Sequence, residues 1–132
     1  MGSASDDARS YYQSQVSQET KAVFGSVGIS QAIGTDVAVI SDIGSGGGRG
    51  WWKIWGHGRH TLADGLKLSI GPVAGPVVKF QIAAAANTTV YFGPYLVQIA
   101  NDTDDIIVEL AVATGGADSA AATLYAKRMA DA

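Results

Sequence analysis

A chain of 132 residues, 47% hydrophobic and 16% charged, has the size and composition of one globular domain with its own core. A net charge of −3 argues against a non-specific nucleic-acid binder. The absence of cysteine excludes a disulfide scaffold, thiolate metal sites and cysteine nucleophiles.

Residues 1–20 are polar, rich in Ser, Gln and Asp, with Tyr11, Tyr12 and Val16 as the main apolar groups. A short helix capped by Ser3 or Ser5 would be marginal alone, because helix nucleation is costly. We read this stretch as an N-terminal arm that is mobile or orders only against a neighbour, with Tyr11 and Tyr12 as its anchors, followed by a folded domain over 21–132. The arm lacks the apolar core of a signal peptide, and no run approaches transmembrane length. Asp6 stands where a myristoylation motif needs Ser or Thr. The expectation is a soluble product made in a cytoplasm, with no membrane partner.

Beyond the arm the hydrophobic period is two. Lys21-Ala22-Val23-Phe24 and Asp36-Val37-Ala38-Val39-Ile40 are β-prone runs bounded by Gly and Asp. The glycine-rich loop 44–50 leads into a run from Trp51 to Leu62 that holds every tryptophan and histidine of the chain. As a strand it splits into two faces. Trp52, Ile54, Gly56, Gly58, His60 and Leu62 suit a core, with His60 as a hydrogen-bonded structural histidine. Trp51, Lys53, Trp55, His57, Arg59 and Thr61 place aromatic and basic groups on the other face, where Trp and Arg commonly anchor interfaces.

Asp64-Gly65 then signals a hairpin. Leu66, Leu68 and Ile70 alternate with Lys67 and Ser69, and Val78, Phe80, Ile82 and Ala84 with Lys79 and Gln81. Gly93-Pro94 interrupts the stretch from Asn87 to Ala100, which predicts a bulge, an edge or a switch between sheets. Ile106, Val108, Leu110 and Val112 alternate most clearly, with Glu109 outward. From Ser119 to Met129 two readings stand. The alanines favour a helix capped by Asp118 or Ser119; Leu124, Ala126 and Arg128 alternating with Tyr125 and Lys127 suit a closing strand, which the preceding pattern prefers. About eight short strands with regular turn signals predict an all-β, two-sheet sandwich of jelly-roll type.

The chemical motifs are weak. Loop 44–50 lacks the Gly-Lys-Ser/Thr and the following helix of a phosphate loop. His57 and His60 fall on opposite faces of a strand, and no other histidine or cysteine exists to complete a metal site. No Gly-x-Ser-x-Gly elbow occurs, and Asp102, Asp104 and Asp105 read as a solvated acidic tip without the glycine and final Glu of a calcium loop. No catalytic residue, cofactor or metal is therefore assigned. The Asn-x-Thr patterns at Asn87 and Asn101 are read as chance matches in turns.

A cysteine-free β-sandwich, a polar arm, short Gly/Ala-rich strands and the stretch Arg59-His60-Thr61-Leu62-Ala63-Asp64-Gly65 leaving an aromatic strand together resemble the small virion structural proteins of tailed bacteriophages, above all capsid decoration or cement proteins. The resemblance implies a non-enzymatic protein on the capsid surface of the virion. It also implies contact with the major capsid protein or other virion proteins, and self-association as a homotrimer. On the residues themselves, the contact surface would be Tyr11, Tyr12, Trp51, Lys53, Trp55, His57 and Arg59. The alternative is a jelly-roll carbohydrate-binding module in which Trp51 and Trp55 stack on sugar rings.

Overall fold

The computed structural model describes residues 20–72 and 75–130. Residues 1–19 of the expected arm, Tyr11 and Tyr12 among them, lie outside the described residues. Eight strands follow in order: β1 (Thr20–Val27), β2 (Asp36–Ile40), β3 (Gly50–His60), β4 (Leu66–Gly71), β5 (Val77–Ile82), β6 (Val90–Ile99), β7 (Asp105–Leu110) and β8 (Ala120–Ala130). They form two four-stranded antiparallel sheets, β1-β8-β3-β6 and β2-β7-β4-β5. Among consecutive strands only β4 and β5 are also neighbours; every other connection crosses to the opposite sheet. This is the jelly-roll wrapping expected from the sequence.

The alternating side chains meet between the sheets. Trp52, Ile54, Phe92, Val97, Ile99, Leu124 and Ala126 of the first sheet pack against Ala38, Ile40, Leu66, Leu68, Ile70, Ile106, Val108 and Leu110 of the second. Trp52 is 2% exposed, and its indole Nε1–H donates a 2.7 Å hydrogen bond to the Gly48 carbonyl, so its one polar atom is satisfied. The turn Ser45–Gly47 in that loop is a single 3-10 turn. The C-terminal segment is a strand because Ala122, Leu124 and Ala126 fill the gap between β1 and β3, and tertiary packing overrides the helical preference of alanine.

Two bulges reset the alternation. Opposite Gly93 and Pro94, β3 supplies only Trp55, since Ile54 pairs with Tyr95 and Gly56 with Phe92. Gly93 has φ +80°, and a Cβ there would collide with the Ile54 carbonyl and Trp55. The bulge turns Tyr95 toward the core, where its ring stacks on Phe80 of β5 with centroids 3.8 Å apart, linking the edge strands of the two sheets. In β5, Phe80 pairs with Leu68 but Val78 with Ser69. The intervening Lys79 breaks the expected face, and Val78 turns out to solvent.

Two further expectations are corrected. Asp64-Gly65 does not close a hairpin, because β3 and β4 belong to different sheets. Asp64 adopts φ +54° and its Oδ1 accepts from the Ala84 amide, while Gly65 lets the backbone pass over the His60 ring, where a Cβ would collide. Nor is the acidic stretch a solvated tip. Asp104 and Asp105 are buried: Asp104 Oδ2 accepts from the amides of Ala100 and Asn101, and Asp105 Oδ1 from that of Asp42 at 2.7 Å. Only Asp102 reaches outward, to Arg49 at 3.2 Å.

Candidate contact face on the first sheet

Strand pairing arranges the outward side chains of the first sheet in rows, because residues directly opposite in register share a face. One row runs Phe24, Thr123, His57, Tyr91 from β1 to β6. The next runs Ala22, Tyr125, Trp55, ending at the Gly93-Pro94 bulge. Thr20, Lys127, Lys53 and Leu96 form a third, and Ser26, Ala121 and Arg59 a fourth. Trp51 and Gln98 lie at the end.

Trp51, Lys53, Trp55, His57 and Arg59 are thus brought together on one surface, as their spacing suggested. Trp51 is 37% exposed, Arg59 is exposed, and Lys53, Trp55 and His57 are half-buried by their neighbours. Trp55 lies parallel to Tyr125, with centroids 5.5 Å apart and planes at 15°. The Lys53 ammonium sits 5.1 Å from the centroid of the Trp55 ring, a cation–π contact. His57 tilts against Tyr91 at 5.5 Å and Tyr125 at 6.4 Å.

His60 leaves this face for the core. The Leu62 amide donates to Nδ1 at 2.8 Å, so Nε2 carries the proton and donates to the Val112 carbonyl at 3.0 Å. It is a structural residue.

The most exposed members of the face are Tyr91 at 78%, Phe24 at 68% and Leu96 at 62%, and sequence reasoning missed the last two. They come from strands far apart in the chain, so only pairing shows that they join the tryptophan strand. The alternation of Tyr125 and Lys127 against Leu124 and Ala126 was the available signal for β8. Shallow depressions separate the anchors. One of about 250 Å³ lies among Phe24, His57, Arg59 and Thr123, and another of about 280 Å³ among Lys53, Trp55, Tyr91 and Pro94. A cleft of about 450 Å³ at one end of the sandwich is lined by Lys21, Asp42, the glycine-rich loop and Arg128, whose guanidinium is engaged by the Arg49 carbonyl.

The charge of the face is one-sided. The strands of the first sheet carry Lys21, Lys53, Arg59, Lys127 and Arg128 and no aspartate or glutamate. The second sheet carries Asp36, Asp105 and Glu109 beside Lys67 and Lys79. There Glu109 is buried, accepts from Ser69 Oγ at 2.8 Å and lies 3.7 Å from the Lys67 ammonium.

No family model and no curated protein matches the sequence. Among solved structures, the globular domain of zebrafish complement 1qA protein is similar over 87% of this chain and 100% of that chain, with 13% identity and a TM-score of 0.52. That likeness concerns the fold. A chain of the cyanophage Pam1 capsid asymmetric unit aligns over 83% of this chain and 85% of its own, with 11% identity and a TM-score of 0.45.

Proposed function

We propose that this chain is a non-enzymatic virion structural protein that binds and stabilises a phage capsid lattice, docking through the outer face of its first sheet. The observation that carries the reading is the continuity of that face. Phe24, Tyr125, Trp55, Tyr91 and Leu96 cross all four strands, more exposed apolar surface than one small sandwich needs for itself. Exposed aromatic and arginine side chains are the residues enriched in protein-binding patches. The sequence resemblance to decoration proteins supports a partner of the kind of the major capsid protein or another virion protein, and a position on the capsid surface. A homotrimer is the assembly that resemblance implies.

Stacking on sugar rings is less well served. The Trp55 ring is already engaged by Tyr125 and by Lys53, which leaves it less face to offer a pyranose.

The test is co-expression of the full chain with the products of the genes that flank its own, followed by isolation of assembled shells by sedimentation. The chain is expected to travel with the shells, and Phe24→Ser/Tyr91→Ser to remain in the soluble fraction. A chain that stays free of every shell, or that binds a glycan array through Trp51 and Trp55, overturns the reading.

A further inference from the structure

Lys53 of β3 and Lys127 of β8 are direct cross-strand partners on the outer face of the first sheet. Two ammonium groups so placed repel, and opposed like charges weaken a sheet. Folding alone gives no reason for them. The ion pairs of the described residues, Arg49 with Asp102 and Lys67 with Glu109, lie elsewhere, and none reaches Lys53, Lys127 or Arg59. The surrounding rows hold Thr20, Leu96, Tyr125 and Trp55, none of which carries negative charge.

We infer that the occupant of this face is an acidic protein surface, whose carboxylates meet Lys53, Lys127 and Arg59 while its apolar side chains cover Phe24, Tyr91 and Leu96. The inference rests on the reading of the face as a docking surface and names the chemistry of what docks. The chain has a net charge of −3, yet the outer rows of the first sheet hold Lys53, Arg59 and Lys127 and, among the described residues, no acid. Such segregation steers a negatively charged partner to one side of the molecule. From Lys53 to Arg59 the strand spans about 20 Å, so the cations bracket the aromatic rows and set register as well as attraction. The Lys53 head, held over the Trp55 ring, is already directed before contact.

Two other occupants fit worse. A second copy docked symmetrically would lay lysines against lysines. A single-stranded nucleic acid needs open ring faces for its bases. Here Trp55 is stacked on Tyr125, and His57 leans on Tyr91 and Tyr125.

The experiment uses the full chain and fluorescence anisotropy with three labelled probes: an extended peptide alternating Glu with Val, the same peptide with Gln for Glu, and an oligothymidylate of equal length. Measurements are made at about 10 mM and about 150 mM ionic strength, where the screening length falls from about 30 to about 8 Å. The Glu peptide is expected to bind at least about fivefold more tightly than the Gln peptide at low salt. Lys53→Gln/Lys127→Gln should abolish that preference without lowering the thermal midpoint, and Lys79→Gln on the second sheet should leave it intact. Equal affinity for the two peptides, tighter binding of the oligothymidylate, or self-association that the double lysine variant weakens would each overturn the inference. In the shell assay, retention of the double lysine variant with loss of Phe24→Ser/Tyr91→Ser overturns the acidic partner and leaves the docking reading standing. Retention of both variants overturns both.

Discussion

Asp36 and Glu109 face each other across β2 and β7, two carboxylates in direct register. Glu109 is buried and committed to Ser69 and Lys67. Asp36 therefore carries the strain of the pair. Burial first, then the charges of Glu109 and Asp105, raise its pKa above the ordinary carboxylate value.

A raised folded-state pKa means that ionised Asp36 opposes folding. Below the unfolded pKa both states are protonated and nothing is lost; stability falls as pH rises through the ordinary carboxylate range to the raised value, and stays lower above it. Asp36→Asn should therefore be more stable than wild type at neutral pH by a few tenths of a kcal/mol, the side chain being partly solvated. The advantage should vanish as pH drops below the carboxylate range. Urea unfolding of both proteins from pH 3 to pH 7 checks the sign, and a gap that widens toward acid would contradict it.

Asp118 predicts the opposite slope. Its Oδ2 accepts from the Gly115 amide and its Oδ1 from the Thr61 hydroxyl, both at 2.9 Å, and these bonds, the backbone one foremost, lower its pKa. Its contribution is present above the ordinary carboxylate pKa and is lost as pH falls through the depressed folded value. Asp118→Ala should lower the thermal midpoint at pH 7, and the deficit should shrink in acid. Paired thermal melts at the two pH values read this directly.

The tryptophans of β3 separate core from face. Trp52→Ala should destabilise the fold by about 3–5 kcal/mol, through a cavity and a lost indole hydrogen bond. Trp55→Ala, which loses only its stack on Tyr125 and the Lys53 contact, should cost about 1–2 kcal/mol. Chemical denaturation of both variants tests the difference. Equal losses would make both faces of β3 core.

How far the sequence reached follows from what is local. Alternation along β3 placed Trp52, Ile54 and His60 inside and Trp51, Trp55 and Arg59 outside, because period two belongs to each strand by itself. Pairing is not local. That Phe24 and Tyr91 share a row with His57, or that Lys127 opposes Lys53, depends on which strands become neighbours after a jelly-roll wrap. Asp64-Gly65 misled for the same reason: a turn signal marks a change of direction but not whether the chain returns to its own sheet. Asp105 looks solvated in sequence because the Asp42 amide it caps lies 63 residues away, whereas the Ala100 and Asn101 amides capped by Asp104 lie within four residues, a local turn that the run of acids hid.

Assembly provides a fourth prediction. Purified full-length chain should sediment as an oligomer at micromolar concentration, with a trimer expected. Deleting residues 1–18 should leave the melting transition in place while weakening association, since Tyr11 and Tyr12 are assigned to a neighbour's surface. A monomer throughout, or a truncated chain that does not fold, would refute the corresponding half.

The position of β8 has a consequence for how the molecule comes into being. Among the described strands, β8, the furthest along the chain, lies between β1, the earliest, and β3. Until residues 120–130 leave the ribosome, both of those strands present unpaired amides and carbonyls, and the apolar sides of Val23, Trp52 and Ile54 lack the Leu124 and Ala126 that cover them. Closure must wait for contacts between opposite ends of the chain, the most distant in sequence and the slowest to find. The nascent protein is thus open to wrong strand partners until residues 120–130 emerge, and truncations within β8 should be recovered as aggregates rather than as partly folded monomers.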